Sequence, residues 1–243
     1  MTKESNGAGP EQDAERLVLG IDTCGPSGSV ALARLQGDGV ELLGQIELAG
    51  KSYSATLVSA VGELLSRSQK HMSLLDAIVV TSGPGSFTGV RVGVSAAKGF
   101  AEGRNIPVVA LSRLEVLARK SGVPSAALDA HRGENYLRLQ KTGAAPSELL
   151  AGREELAAIE PAPLRVAVCD EGAAALIASA WPDTQLVQTA APLAADALRP
   201  GEARLIAGGT VDLALLDGHY LRRSDAEIFG NDVRRQAAGQ GTR

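Results

Sequence analysis

Ser82-Gly83-Pro84-Gly85-Ser86-Phe87-Thr88-Gly89-Val90-Arg91-Val92-Gly93 is the stretch on which the fold of this chain turns. Before it stands Ala77-Ile78-Val79-Val80-Thr81, apolar almost throughout, which predicts a central strand covered on both faces. After the Gly/Pro/Ser loop, the spacing predicts a helix over 87–103, rich in small residues at Gly89, Gly93, Ala96, Ala97 and Gly99. Each glycine inside a helix costs roughly 1 kcal/mol against alanine. Several in one helix therefore call for a close backbone approach, most simply to another helix. The loop is not a phosphate-binding P-loop, because Val90 stands where the lysine of GxxxxGK[ST] should be. A helix N-terminus still presents amides to an anion, so Ser86 is a candidate anion contact. The plainer reading is a turn and helix start, with Phe87 as a local core anchor.

Working upstream, Leu17-Val18-Leu19-Gly20-Ile21 is a short apolar run that stops at Asp22. A turn at Cys24-Gly25-Pro26-Ser27-Gly28 leads to Ser29–Ala33, and a second turn at 36–39 leads to Val40–Leu48. These runs predict a three-stranded meander. Residues 54–68 change period. Leu57, Val61, Leu64 and Leu65 share one helical face, and Ala55, Val58, Gly62 and Leu65 form a second small-or-apolar strip. A helix with so little polar surface is normally buried on two sides, so a second partner is expected beyond its own sheet.

Downstream, Ile106–Ala110 predicts another strand, and Ser112 an N-cap for a helix carrying Leu114, Leu117 and Ala118. Ala126–Asp129 and Glu134–Gln140 read as a hairpin around His131-Arg132-Gly133. Leu164–Val168 reads as a strand, 172–180 and 193–199 as helices, and Leu205-Ile206-Ala207 as a strand ending at Gly208-Gly209. Mixed order of strands and helices predicts an α/β protein with two lobes meeting near 112–124. The expected division is a disordered leader over 1–15, a first lobe over 16–113, a second over 114–229, and a disordered tail over 230–243.

Composition narrows the function classes. The 243 residues are 44% hydrophobic and 21% charged, ordinary for a globular protein. The polar, acidic first fifteen residues do not read as a signal peptide, and no apolar run approaches the ~18 residues of a membrane helix. A cytoplasmic protein with two free cysteines, Cys24 and Cys169, is expected. Net charge is −4 and the isoelectric point about 5.5. The one basic cluster, Arg222-Arg223 with Arg234-Arg235, lies in the tail, so strong direct binding of nucleic acid is not expected.

The chemistry-bearing residues do not add up to a catalytic set. Asp22 and Thr23, at the tip of the first strand, could face Mg²⁺ and phosphate in an actin-like ATPase or small-molecule kinase, or simply bond local backbone. Cys24 has no neighbouring base in the sequence to activate it. His71, His131 and His219 form no helical metal pair, and no G-x-S-x-G elbow is present. No metal or cofactor is expected, and Gly208-Gly209-Thr210 is read as a turn rather than an adenosine contact. The two helices with excess small and apolar surface point instead to a protein–protein interface.

Leu19-Gly20-Ile21-Asp22-Thr23 with Ser29-Val30-Ala31-Leu32, the segment Ser82–Gly93 continuing to Ala97-Lys98-Gly99, and Tyr220-Leu221-Arg222 with Ser224-Asp225-Ala226-Glu227 resemble the bacterial TsaB (YeaZ) family. The resemblance implies a two-lobed actin-like, Hsp70-like (ASKHA) fold with mixed sheets flanked by helices. It implies a non-catalytic subunit in the synthesis of N6-threonylcarbamoyladenosine at position 37 of ANN-reading tRNAs. That subunit would bind and activate the TsaD transferase, meet the TsaE ATPase within the complex, reach tRNA only through it, and pair with itself when free. The implied interface is a helical bundle through Ala55, Val58, Gly62, Leu65, Gly89, Gly93, Ala97 and Phe100. The metal-binding His-x-x-x-His of TsaD would fall near Arg113 and Leu117, neither of which supplies the same ligand. Tyr53 stands where the family often has histidine at the first bundle helix, and Thr23-Cys24 replaces its usual Thr-Ser.

Overall fold

The computed structural model describes residues 15–36, 39–50, 52–141 and 143–222. Nearly all of the expected leader, the tail at 230–243, and Arg223, Ser224–Glu227, Arg234 and Arg235 lie outside them. The meander forms as read: β1 (Arg16–Asp22), β2 (Ser27–Gln36) and β3 (Gly39–Ala49) run antiparallel, with Gly20 opposite Ala31. β4 (Ala77–Thr81) and β5 (Val108–Leu111) add parallel strands, giving the order β3-β2-β1-β4-β5. Two crossover helices, α1 (Tyr53–Arg67) and α2 (Phe87–Glu102), follow β3 and β4.

The period-2 alternation of β1 sends its side chains to two different cores. Leu17, Leu19 and Ile21 join Leu57, Val61, Leu64, Val90 and Val94 beneath α1 and α2. Val18 faces the other way, toward a cluster with Ala31, Val79 and Leu111. Both faces of this sheet are apolar and both are covered.

The second half repeats the first. α3 (Arg113–Ser121) leads into β6 (Ala126–Asp129), β7 (Glu134–Leu139) and β8 (Ser147–Gly152), an antiparallel meander like β1–β3. α4 (Arg153–Ala157) precedes β9 (Arg165–Val168), and α5 (Glu171–Ala180) precedes β10 (Gln185–Gln188). β9 joins β6 in parallel and β10 joins β9, so the order β10-β9-β6-β7-β8 mirrors the first sheet strand for strand. β8, β10 and α4 were not legible in the sequence, being short and weakly periodic.

The closing helices change sides. α6 (Ala194–Ile206), last in the second half, lies on the first sheet, where Ala194, Ala197 and Leu198 fill the cluster around Val18 and Val79. α3, last in the first half, lies on the second sheet, with Leu114 and Leu117 against Ala126, Leu128 and Ala167. A cut at residue 113 therefore separates the sheets but not the packing units: residues 194–206 belong by contact to the first lobe. Leu205-Ile206-Ala207 is the end of α6 and its cap, not a strand. The helix also runs past Pro200. Proline removes one ladder bond, but burial of the flanking Leu198 and Gly201 on the sheet holds the helix together.

Gly201 marks how closely α6 approaches: a Cβ there would lie 2.4 Å from Cγ2 of Val79. Gly201→Leu is expected to lower stability by about 1–3 kcal/mol or more through overpacking, read as a lower urea midpoint with unchanged slope.

Candidate functional site

The loop after β1 meets the loop after β4 at one end of the first sheet. The Asp22 carboxylate accepts a hydrogen bond from the Cys24 amide at 2.8 Å and faces Nε of Arg113 at 3.6 Å. Asp22 is 2% exposed and Arg113 7% exposed. Burial pushes the Asp22 carboxyl up, and Arg113 only partly offsets that, so it sits above the ordinary carboxylate value. The Thr23 hydroxyl donates to the Gly89 carbonyl at 2.6 Å. Cys24 donates its thiol to the Thr81 carbonyl, and burial beside Asp22 pushes that thiol well above its usual range.

Asp22 and Thr23, expected as phosphate contacts, are both buried: the Thr23 hydroxyl is bonded to Gly89, while the Asp22 carboxylate holds the Cys24 amide through Oδ1 and faces Arg113 through Oδ2. Ser86 differs: it is exposed, and its hydroxyl accepts the Gly89 amide as the N-cap of α2. Phe87 is not a core anchor. It is 41% exposed, with the Tyr220 ring 5.2 Å away and the Arg91 guanidinium over its face at 3.9 Å.

The small residues of α2 also have a different cause from the one expected. A Cβ on Gly89 would lie 2.0 Å from the Thr23 carbonyl oxygen, and one on Gly93 2.4 Å from its hydroxyl. Gly89, Gly93 and Ala97 are buried against β1 and its following turn, not presented to a partner, and Leu65 is buried with them. The close approach that the glycines required is to a strand rather than to a second helix. Sequence spacing alone could not separate those two neighbours.

What remains exposed is narrower. On α1, Ala55, Val58 and Gly62 lie open, with Val58 61% exposed. On the adjoining α2, Val92, Ala96 and Phe100 are part-buried and Gly99 is open, with nothing near its Cβ position. Together these residues make a low-relief apolar face on two neighbouring helices. Tyr53, at the head of α1, is turned inward and donates its hydroxyl to the Gly25 carbonyl at 2.8 Å.

A second network ties the halves together. Glu148, on β8, accepts from Ser112 at 2.6 Å and Arg138 at 2.7 Å, and pairs with Nε2 of His219 at 2.8 Å. Burial pushes Glu148 up, but the three hydrogen bonds outweigh it and hold the carboxyl below its ordinary 4.5. The segment around His219 is a strap: its amide donates to the Ser82 carbonyl of the first half, while Arg222 bonds the Ala130 carbonyl and Glu134 of the second. Sequence reading missed Glu148 altogether, because β8 itself was not visible.

Two lobes of duplicated topology, each a five-stranded mixed sheet flanked by helices, define the actin-like ASKHA class of fold. Residues 45–144 match the family model of TsaD, the tRNA N6-adenosine threonylcarbamoyltransferase. The tRNA threonylcarbamoyladenosine biosynthesis protein TsaB of Haemophilus influenzae is 35% identical over 120 residues, 49% of this chain and 47% of that protein. TsaB of Bacillus subtilis is 37% identical over 126 residues, 50% of this chain and 54% of that protein. The solved structure of YeaZ from Pseudomonas aeruginosa superposes with a TM-score of 0.69 at 25% identity, covering 85% of this chain and 100% of that one. The chain is thus similar to TsaB proteins in sequence over half its length and to YeaZ in fold over most of it. Its sequence match spans about half the length of the curated relatives.

Gly93→Leu is expected to unfold or strongly destabilise the chain, since the new side chain meets Thr23; circular dichroism on heating reads this directly. The Glu148 bonds predict an acid-sensitive clamp. Because its folded pKa is depressed, their contribution is full above about 4.5 and is lost as pH falls through the lower folded value. Glu148→Gln should cost about 2 kcal/mol near neutrality and flatten the acid limb of the stability curve.

Proposed function

We propose that this chain is a partner subunit of the assembly that makes N6-threonylcarbamoyladenosine at position 37 of ANN-reading tRNAs. It docks on the TsaD transferase through the open face of α1 and α2, stabilises and activates that subunit, and performs no chemistry of its own. The TsaE ATPase joins it within the complex, and tRNA is met only there, in the cytoplasm. The observation that carries this reading is exposed Ala55, Val58 and Gly62 on α1 and, on the adjoining α2, exposed Gly99 with part-buried Val92 and Ala96. Small side chains let a partner's helices come close, and burial of such a strip removes apolar area at roughly 25 cal/mol per Å².

The family names support the pathway: the relatives from Haemophilus influenzae and Bacillus subtilis are TsaB proteins, and the family model covering α1 and α2 is that of TsaD itself. Likeness between two partners at the helices that would meet fits a pseudo-symmetric pairing. The same face fits a second copy of this chain when TsaD is absent, by mass action. The non-catalytic reading is supported by the burial of Asp22 and Thr23, with the Thr23 hydroxyl bonded to Gly89 and Asp22 facing Arg113.

Titration of the purified chain with TsaD from the same organism, by calorimetry, tests this. Val58→Glu, at an exposed position, is expected to weaken TsaD binding at least about tenfold while the thermal midpoint stays within a degree or so. Unchanged TsaD affinity in Val58→Glu, or no binding by the parent chain, would overturn the placement.

A further inference from the structure

The apolar face of α1 and α2 is built from small side chains: Ala55, Val58 and Gly62 on one helix, Val92, Ala96 and Gly99 on the other. Small residues allow close approach but bury little area. A stable interface takes about 800 Å² from each partner, and its strongest contacts come mostly from tyrosine, tryptophan and arginine. None of the six is one of these. A partner seated here needs a footprint that continues past them, and the surroundings of α2 limit where it can go.

α2 has two flanks. On one, a Cβ on Gly89 would stand 3.3 Å from the Tyr53 ring of α1. Val90 follows about 100° around the helix, where a Cβ on Gly218 would lie 2.6 Å from its Cγ1. Leu216 is buried in one core with Val90 and Val94, and the Val211 amide donates to the Val108 carbonyl of β5. The 211–220 segment thus borders α2 on the flank away from α1. Between the flanks, Thr88, Arg91, Ser95 and Gly99 are all exposed, and their spacing of three or four residues makes one outward row.

At the head of that row the surface changes character. Phe87 is 41% and Tyr220 38% exposed, and their rings lie 5.2 Å apart. The Arg91 guanidinium covers the Phe87 face at 3.9 Å. Aromatic residues are only 3% of the chain, so two adjacent open rings are a concentrated use of them. All three residues stand on the rim of the interlobe cleft, which Arg113 and the three tyrosines line, and are open from that side too. Arg91 and Lys98, two turns apart on α2, have no carboxylate partner among the described residues, and the helix carries no acid before Glu102. The rings are also held in place. Phe87 is the first residue of α2. Tyr220 follows His219, whose amide donates to the Ser82 carbonyl and whose Nε2 pairs with Glu148, and precedes Arg222, which donates to the Ala130 carbonyl. Side chains ordered beforehand lose little entropy when a partner covers them.

Resting on the docking reading above, we propose that the TsaD interface crosses α2 and is anchored at Phe87, Arg91 and Tyr220. The partner sets an apolar side chain against the two rings and a carboxylate on Arg91. The small residues of α1 and α2 supply close approach, and this cluster supplies the anchor and the charge match.

Calorimetric titration of the full chain with TsaD from the same organism, at low and high salt, tests this with Arg91→Glu, Tyr220→Ala and Val58→Glu. The first two alter exposed side chains, and each is expected to weaken TsaD binding at least about tenfold with an unchanged thermal midpoint. The affinity of the parent chain is expected to fall as salt rises, and Arg91→Gln to lose most of that dependence. Full affinity in both Arg91→Glu and Tyr220→Ala, with Val58→Glu weakened, overturns the anchor and leaves the docking face standing. Weakened binding in those two with full affinity in Val58→Glu supports the anchor and overturns the placement at Val58. No binding by the parent chain overturns both. Sedimentation of the chain alone covers the other occupant. If Arg91→Glu and Tyr220→Ala abolish self-association but leave TsaD affinity intact, a second copy sits on this cluster and the proposal falls.

Discussion

Each of the two sheets has two apolar faces, and its own crossover helices can cover only one. Everything else in this molecule depends on how the second face is closed. α6 leaves the second half to lie on the first sheet, and α3 leaves the first half to lie on the second. Each lobe is thus completed by the other, and the two are held in register by packing rather than by a linker. The cleft between them, the Ser112–Glu148–His219 clamp and the strap at 219–222 all exist because the halves are interlocked in this way.

The same exchange sorts the exposed surface. With α6 on one face of the first sheet, α1 and α2 are left to cover the other, and Ala55, Val58, Gly62 and Gly99 on their outer sides stay open among the described residues. On the inner side α2 must come close enough for Thr23 to bond the Gly89 carbonyl, which removes any room for side chains at 89 and 93. One helix therefore carries small residues for two separate reasons. Gly89, Gly93 and Ala97 permit contact with β1, whereas Gly99 and Ala96 leave an open surface.

Much of the first lobe was legible from local pattern. The apolar run of β4, the alternation of β1 and the 3.6-residue period of α1 each report burial directly, because those elements are buried on well-defined faces. The second lobe was harder. Its strands are four to six residues long, its α4 is a single turn or so, and its Ala-rich helices carry weak periodicity. The duplication of topology left no repeat in the sequence, since the two halves are built from different side chains.

By itself the sequence determined the strand–helix order of the first half, the loop at 82–86 as a helix start, the absence of a P-loop lysine, and the family resemblance. These are properties of neighbouring residues. Only the tertiary structure decided that Asp22 and Thr23 face inward, that Gly93 meets a strand, and that Arg113 and the three tyrosines share one cleft. Those depend on contacts between segments far apart in the chain. The crossing of α3 and α6 that brings them together is set by how much apolar sheet remains uncovered, a quantity no single stretch of sequence contains.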